Sequence, residues 1–168
     1  MREENFDHVR SLRRYALVLT RDSDEAEDLV QEALTKALAG ARLFSPERDL
    51  RVWLFSIMHN AHVSRLRRKR TAQNARAYLA EEDSRPASQM AHMELRQALD
   101  CLARLPDDQR RAVALVALES MSYAQAAKVL GVPIGTLMSR LARGREALRR
   151  MTDGSYQDAK RLSRDGRR

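Results

Sequence analysis

One cysteine, Cys101, stands in 168 residues. It cannot build an internal disulfide framework, so a reducing compartment is the economical expectation. No apolar run approaches the ~20 residues of a membrane span, which argues against membrane insertion. The opening MREENFDHVR is too acidic and polar for a secretory signal, so a cytoplasmic location is expected. β-branched residues never alternate with polar ones over a useful length, and no segment reads as a strand. The phosphate-cradling GxxxxGK[ST] motif is missing, so ATP hydrolysis is not implied. His59 and His62 share a helix face but lack a third ligand, and no metal is assigned. Cys101 lies in a helical stripe with no neighbour that would activate a thiol, and reads as a packing residue. Asp24, Asp28 and Glu32 look like a solvated helix face rather than acid–base machinery. No catalytic residue and no cofactor follow from this chain.

What remains is a helical, basic protein. The length fits one ordinary domain or two small ones. With 43% hydrophobic and 32% charged residues, a disordered chain is a poor description. The 31 basic against 23 acidic residues give +8, a balance that attracts polyanions. The charge is uneven: residues 1–70 hold 14 basic and 11 acidic groups, 71–93 hold 2 and 3, and 94–168 hold 15 and 9. The middle segment is small, polar and weakly periodic, and reads as a flexible linker between two helical domains, with a surface loop inside one domain as the alternative. The division is 1–70, linker 71–93, 94–152, and a basic C-terminal tail 153–168.

Apolar residues recur at helical spacing throughout. Leu12, Tyr15, Ala16 and Leu19 form one stripe; Leu29, Val30, Ala33, Leu34, Ala37 and Leu38 form a second, opened by Asp22 and Glu25 as a capping box. Pro46 marks a turn, and Leu50, Trp53, Leu54, Ile57 and Met58 form a third stripe. Leu95, Ala98, Leu99 and Leu102 form a fourth, ending near Pro106, and residues 108–119 continue as a helix candidate. Ser122 and Gln125 supply a second capping box, Gly131 stops that helix, and Pro133 opens the last one at Ile134. The fold class is all-α.

The segment 122–150 resembles a helix-turn-helix. Ala126 and Ala127 permit a close helix crossing, Gly131 permits the tight turn, and Val132, Leu137 and Leu141 close a core behind a presented helix. Thr136, Ser139, Arg140 and Arg143 then form the outward surface for a DNA major groove, with a structural helical hairpin as the alternative. RLRRKR at 65–70 places five cations in six residues, suited to phosphate attraction but also to a solubilising face. Upstream, Trp53, Phe55, His59, Asn60 and His62 place aromatic and amide groups where a nucleic-acid strand could stack, although Trp53 is first a core residue.

Two ordered blocks, DEAEDLVQEALTKAL (24–38) with LRVWLFSIMHNAHVSRLRRKR (50–70), and LPDDQRRAVALVALESMSYAQAAKVLGVPIGTLMSRLARGREALRR (105–150), resemble extracytoplasmic-function (ECF) sigma factors. The resemblance implies a non-catalytic specificity subunit of RNA polymerase that recognises and opens promoters. It implies that Asp28, Leu29, Gln31 and Glu32 contribute to docking on the β′ clamp region of core polymerase. Asn60, with Arg65, Arg67, Arg68, Lys69 and Arg70, is implied in capturing the opened promoter strand at or near a loop. Gly135, Thr136, Ser139, Arg140, Arg143 and Arg145 are implied in reading the upstream duplex, while Trp53, Ala127 and Gly131 are structural. Ser64 replaces the Asp common after I-x-x-N-x-x-x in the family. Eighteen extended residues, 71–88, reach roughly 60 Å, about 17 base-pair rises. ALVLTRD and LPDDQR look most like the alphaproteobacterial general-stress group, which implies an anti-sigma partner and its phosphorylated antagonist. An autonomous helix-turn-helix regulator and a non-DNA-binding helical adaptor are the competing readings.

Overall fold

The computed structural model describes the backbone of residues 2–45, 47–76 and 100–165, and the side chains of 7–42, 44–45, 47–71 and 100–151. Among the described residues every regular element is helical. The first cluster comprises α1 (Arg2–Thr20), α2 (Ser23–Ala39), a 3-10 turn (Ala41–Leu43) and α3 (Leu50–Arg76). The second comprises a helical stretch at 100–103, α4 (Asp107–Val113) with a π-helical turn (Ala114–Leu118), α5 (Tyr123–Leu130) and α6 (Ile134–Asp165). Helix extends into both the linker and the tail segments. α3 runs on to Arg76, so six residues of the 71–88 span rise about 9 Å instead of about 20, and the extended reach shortens by about 11 Å. α6 continues through Asp165, well into the supposed tail. Pro46, residues 77–93 and the stripe residues Leu95, Ala98 and Leu99 lie outside the described residues.

In the first cluster, Leu12, Tyr15, Ala16 and Leu19 of α1 pack against Leu29, Val30 and Ala33 of α2 in the core. Leu38 does not join that stripe and is 79% exposed. Nine residues at about 100° each place it on the opposite face from Leu29. Arg21 takes a left-handed conformation at φ 61°, turning the chain between the two helices. Asp22 Oδ1 then accepts the amides of Asp24 at 2.9 Å and Glu25 at 2.8 Å, capping α2. Glu25 does not complete the expected box, because its carboxylate takes Lys69 Nζ at 2.7 Å.

α3 is buried on more than the one stripe expected. It meets α1 and α2 within its own cluster and α5 of the other. Met58 is buried as expected and Leu50, Trp53, Leu54 and Ile57 are half-buried, but Val52, Phe55, His59, Ala61 and His62 are also buried. Tyr15 and Phe55 rings lie 5.4 Å apart, and Trp53 packs on Phe44 at 4.8 Å, closing the turn before α3.

The second cluster is organised around α4 and α6. Gly144 of α6 is buried where an added Cβ would sit 2.8 Å from Val113 Cγ2 of α4. That close approach holds the long helix against its partner. Ser122 and Gln125 form both halves of the capping box on α5, at 3.2 and 2.9 Å. Gly131 ends α5 at φ 63°, a conformation glycine adopts without steric penalty. The two clusters share one buried apolar core, with α3 against α5 and α1 against α4.

Candidate polymerase and nucleic-acid interfaces

α5 and α6 form the helix-turn-helix pair. Ala126 and Ala127 are buried at the crossing, Leu137 and Leu141 point into the core, and Val132 covers its edge. Burying that face leaves the other outward. Gly135, Ser139, Arg143 and Arg145 are exposed, while Thr136 is half-buried. No atom lies within 4 Å of a Cβ built on Gly135, so backbone can be approached closely there. Ile134, read from the sequence only as the start of this helix, and Met138 are each 50% exposed on the same surface. Arg140 is the exception among the cations. Its Nε lies 3.3 Å from Asp108 Oδ2 at the start of α4, and the side chain is only 27% exposed. This pair constrains the guanidinium before any ligand arrives.

The basic stretch at 65–70 divides in two. Arg65 donates to Glu32 Oε2 at 2.6 Å and to the Asp28 carbonyl at 3.0 Å, and Lys69 donates to Glu25. Four residues separate these two cations, so both fall on the α3 face that lies along α2. Arg67, Arg68 and Arg70 are exposed on the rest of the helix, with Arg68 Nε 3.4 Å from the Ser64 carbonyl. Asn60 is exposed but sits inside continuous α3 rather than in a loop. Phe55, His59 and His62, placed beside a nucleic-acid strand by the sequence reading, are buried instead. Trp53 is half-buried against Phe44.

On α2, Asp28 and Gln31 are exposed while Leu29 is fully buried. Glu32 is half-buried between Lys36 at 2.6 Å and Arg65. Lys36, then Arg65, holds its carboxyl below the usual range, against the opposing effect of burial. An exposed polar strip therefore flanks a tied carboxylate, and Leu29 belongs to the core beneath them. Thus α2 offers a helix face able to pair with another helix through carboxylate and amide groups.

The boundary between the clusters is polar as well as apolar. Burial and the cationic Arg111 of α4 push His59 down to about 4, with His62 adding to the effect. Burial and Arg111 likewise push His62 to about 4, although Asp107 and Glu25 oppose them. Arg110 is buried, donates to the Leu105 carbonyl at 3.3 Å and pairs with Asp107; burial lowers its pKa. Glu119 is fully buried and accepts Arg14 of α1 and Arg51 of α3. Neither Glu119 nor Gly144 was singled out from the sequence. Glutamate before SMSY carries no patterning signal, and a glycine inside a helical run reads only as a weak spot.

Comparison with known proteins draws these features together. The family model for the Sigma2 domain of PhyR matches residues 6–59, and that for Sigma-70, region 4 matches residues 95–148. The chain is 38% identical over 149 residues to the ECF RNA polymerase sigma factor EcfG of Rhodopseudomonas palustris, covering 88% of this chain and 82% of the relative. It is 38% identical over 146 residues to the ECF RNA polymerase sigma factor SigM of Mycobacterium tuberculosis, covering 86% and 72%. Among solved structures it resembles the sigma factor RpoE co-crystallised with the anti-sigma factor NepR from Bartonella quintana, at TM-score 0.76 and 33% identity, covering 90% of this chain and 96% of that one. With both of its helical clusters matched in order and most of its length aligned, the chain belongs to the ECF RNA polymerase sigma factors.

Proposed function

We propose that this sigma factor divides its work between the two helical clusters and serves a stress response. It is a non-catalytic specificity subunit: core polymerase performs the nucleotide chemistry, and the sigma factor selects and helps open the promoter. In this reading the exposed side of α2, with Asp28, Gln31 and the neighbouring Glu32, docks on the β′ clamp region, and Leu29 supports that face from below. Asn60 and the exposed Arg67, Arg68 and Arg70 hold the opened strand, where cations and a base-edge donor offset the few kcal/mol of unstacking. Arg65 and Lys69, already bound to α2, contribute to the local field and orient α3. The N-terminal half of α6 enters the upstream major groove: Gly135 admits close backbone approach, Thr136 and Ser139 position phosphates, and Arg140, Arg143 and Arg145 supply base or phosphate contacts.

The observation that carries this reading is the exposed helix-turn-helix face lying in the same chain as an acidic helix buttressed by a basic one. An autonomous regulator uses the first and leaves the second without a role. The likeness to a sigma factor seen bound to an anti-sigma factor, and the match to a PhyR Sigma2 model, support a small helical anti-sigma partner and placement in the general-stress group. Reconstituted transcription with core polymerase and a promoter library tests the division. Sequence-specific initiation is expected only when polymerase is present. Efficient repression by the chain alone, without binding core, rejects it.

A further inference from the structure

α6 has satisfied its own packing without Ile134 and Met138. Leu137 and Leu141 fill the core and Gly144 meets α4, yet these two large apolar side chains stay half in water. Counted from Leu137 at about 100° per residue, Met138 lies at about 100°, Ala142 at about 140° and Gly135 at about 160°, turned away from the core, with Ile134 at the edge of that face at about 60°. Arg140, at about 300° on the same count, falls back towards α4, where it meets Asp108. Of the four large hydrophobic residues exposed among the described residues, three belong to the helix-turn-helix: Ile134, Met138 and Tyr123 at the start of α5. The polar groups nearby are partly committed. Ser139 donates its hydroxyl to the Thr136 carbonyl at 2.9 Å, and with that one hydrogen spent it is left as an acceptor. Arg143 Nε donates to the Ser139 carbonyl at 3.3 Å, and Arg145 Nη1 donates to the Tyr123 hydroxyl at 3.5 Å. The middle of the face therefore offers apolar contact, and its remaining hydrogen-bond donors stand at the flanks.

We infer that Met138, with Ile134 one turn before it, reads the upstream element by packing on thymine methyl groups in the major groove. The inference rests on the proposal above that this half of α6 enters that groove. Thymine alone carries a methyl group there, and cytosine presents a hydrogen at the same carbon, so an apolar side chain distinguishes the two without a hydrogen bond. Methionine suits the task because its unbranched, polarizable chain adapts to an irregular surface. Isoleucine, stiff at χ1, presents a fixed shape beside it. Charge decides the occupant. Arg145 at about 80° and Arg143 at about 240° stand exposed on either flank of the face, an apolar strip between cations that matches methyl-bearing base edges between two phosphate strands. Glu146 is eight residues beyond Met138, about 12 Å along the axis, and is paired with Arg149 and Arg150 at 3.4 and 4.0 Å. The acidic group on this part of the helix thus lies past the strip and is already neutralised.

The test is competition binding of the polymerase holoenzyme to a promoter recovered from the library, with each thymidine of the upstream element replaced in turn by deoxyuridine. That replacement removes the methyl group and keeps the base pair. One or two positions should weaken binding by about fourfold each, the worth of one buried methyl group. Met138→Ala should weaken binding to the thymidine promoter by at least as much and lose its sensitivity to deoxyuridine at one of those positions, and Ile134→Ala should do the same at a neighbouring one. Both side chains are half-exposed, so the alanine variants should keep native helicity. An upstream element without A·T pairs, no sensitive thymidine, or equal sensitivity in the parent and both variants overturns the inference. So does a Met138→Ala protein that binds every DNA like the parent and instead loses affinity for core polymerase, which would assign the strip to a protein contact. Arg143→Ala separates this failure from that of the underlying reading. If it weakens upstream binding while no thymidine matters, methyl reading alone falls; if binding is indifferent to Arg143→Ala and to deletion of the upstream element, the placement of α6 in the groove falls, and the inference with it.

Discussion

Mild acid should weaken this protein through two buried histidines. His59 and His62 are pushed from 6.5 to about 4 in the folded chain, each chiefly by burial and then by Arg111. The unfolded chain therefore takes up these protons first as pH falls. Stability is fully present above about 6.5 and declines as pH is lowered towards the folded values. At pH 5.5 an unfolded imidazole is about nine-tenths protonated while its folded counterpart remains neutral. The loss is about 1.4 kcal/mol for each residue and about 3 kcal/mol for both, treating them as independent. That is a sizeable share of the 5–15 kcal/mol typical of a domain. Asp107 and Glu25 oppose the shift at His62, while Arg110 and Arg111 reinforce it. Glu32 also loses stabilisation in acid, but only as pH falls below its ordinary 4.5, outside this window. Urea unfolding at pH 7.5, 6.5 and 5.5 reads the effect, and His59→Leu with His62→Leu should flatten it. Unchanged stability from 7.5 to 5.5, or His59 and His62 resonances titrating near 6.5 in the folded protein, refutes the reasoning.

Other perturbations act through single contacts. Gly144→Val forces a branched side chain against Val113, whose own χ1 is stiff, and should destabilise the fold by about 2 kcal/mol, measured by chemical denaturation. An unaltered midpoint would mean that α4 and α6 do not approach so closely. Ser122→Ala removes one half of the α5 capping box and should cost about 1 kcal/mol in the same assay. Arg140→Ala separates two roles: a bidentate guanine contact predicts a loss of about 1–3 kcal/mol of discrimination at one base pair, and a phosphate contact predicts near-uniform weakening across sequences. Competition binding of polymerase holoenzyme to promoter variants distinguishes them, and no effect on either quantity would remove Arg140 from the interface.

The parts of this molecule governed by local chemistry were legible before any coordinates. The α1 stripe, the Asp22 and Ser122 caps, the Gly131 stop and the inward Leu137 and Leu141 each follow from spacing or backbone preference within a few residues. The parts set by the meeting of distant elements were not. Phe55, His59 and His62 offered an aromatic and polar pattern that suggests nucleic-acid stacking, yet contacts from both clusters bury them. RLRRKR looked like one patch, whereas α2 carboxylates 33 and 44 positions away claim Arg65 and Lys69. Glu119 was silent because its partners lie 105 and 68 residues distant. Leu38 erred for a simpler reason: six apolar residues were assigned to one face when helical rotation carries the last of them around to solvent.

The division of labour between the helical clusters is tested most directly by mapping both on one promoter in one initiation complex. Photocrosslinking residues placed at Asn60 and Ser139, in separate preparations assembled with core polymerase, should mark different DNA. The first should react with the opened strand and the second with the upstream duplex. Reaction of both with the same segment, or with DNA only when polymerase is absent, would contradict the account.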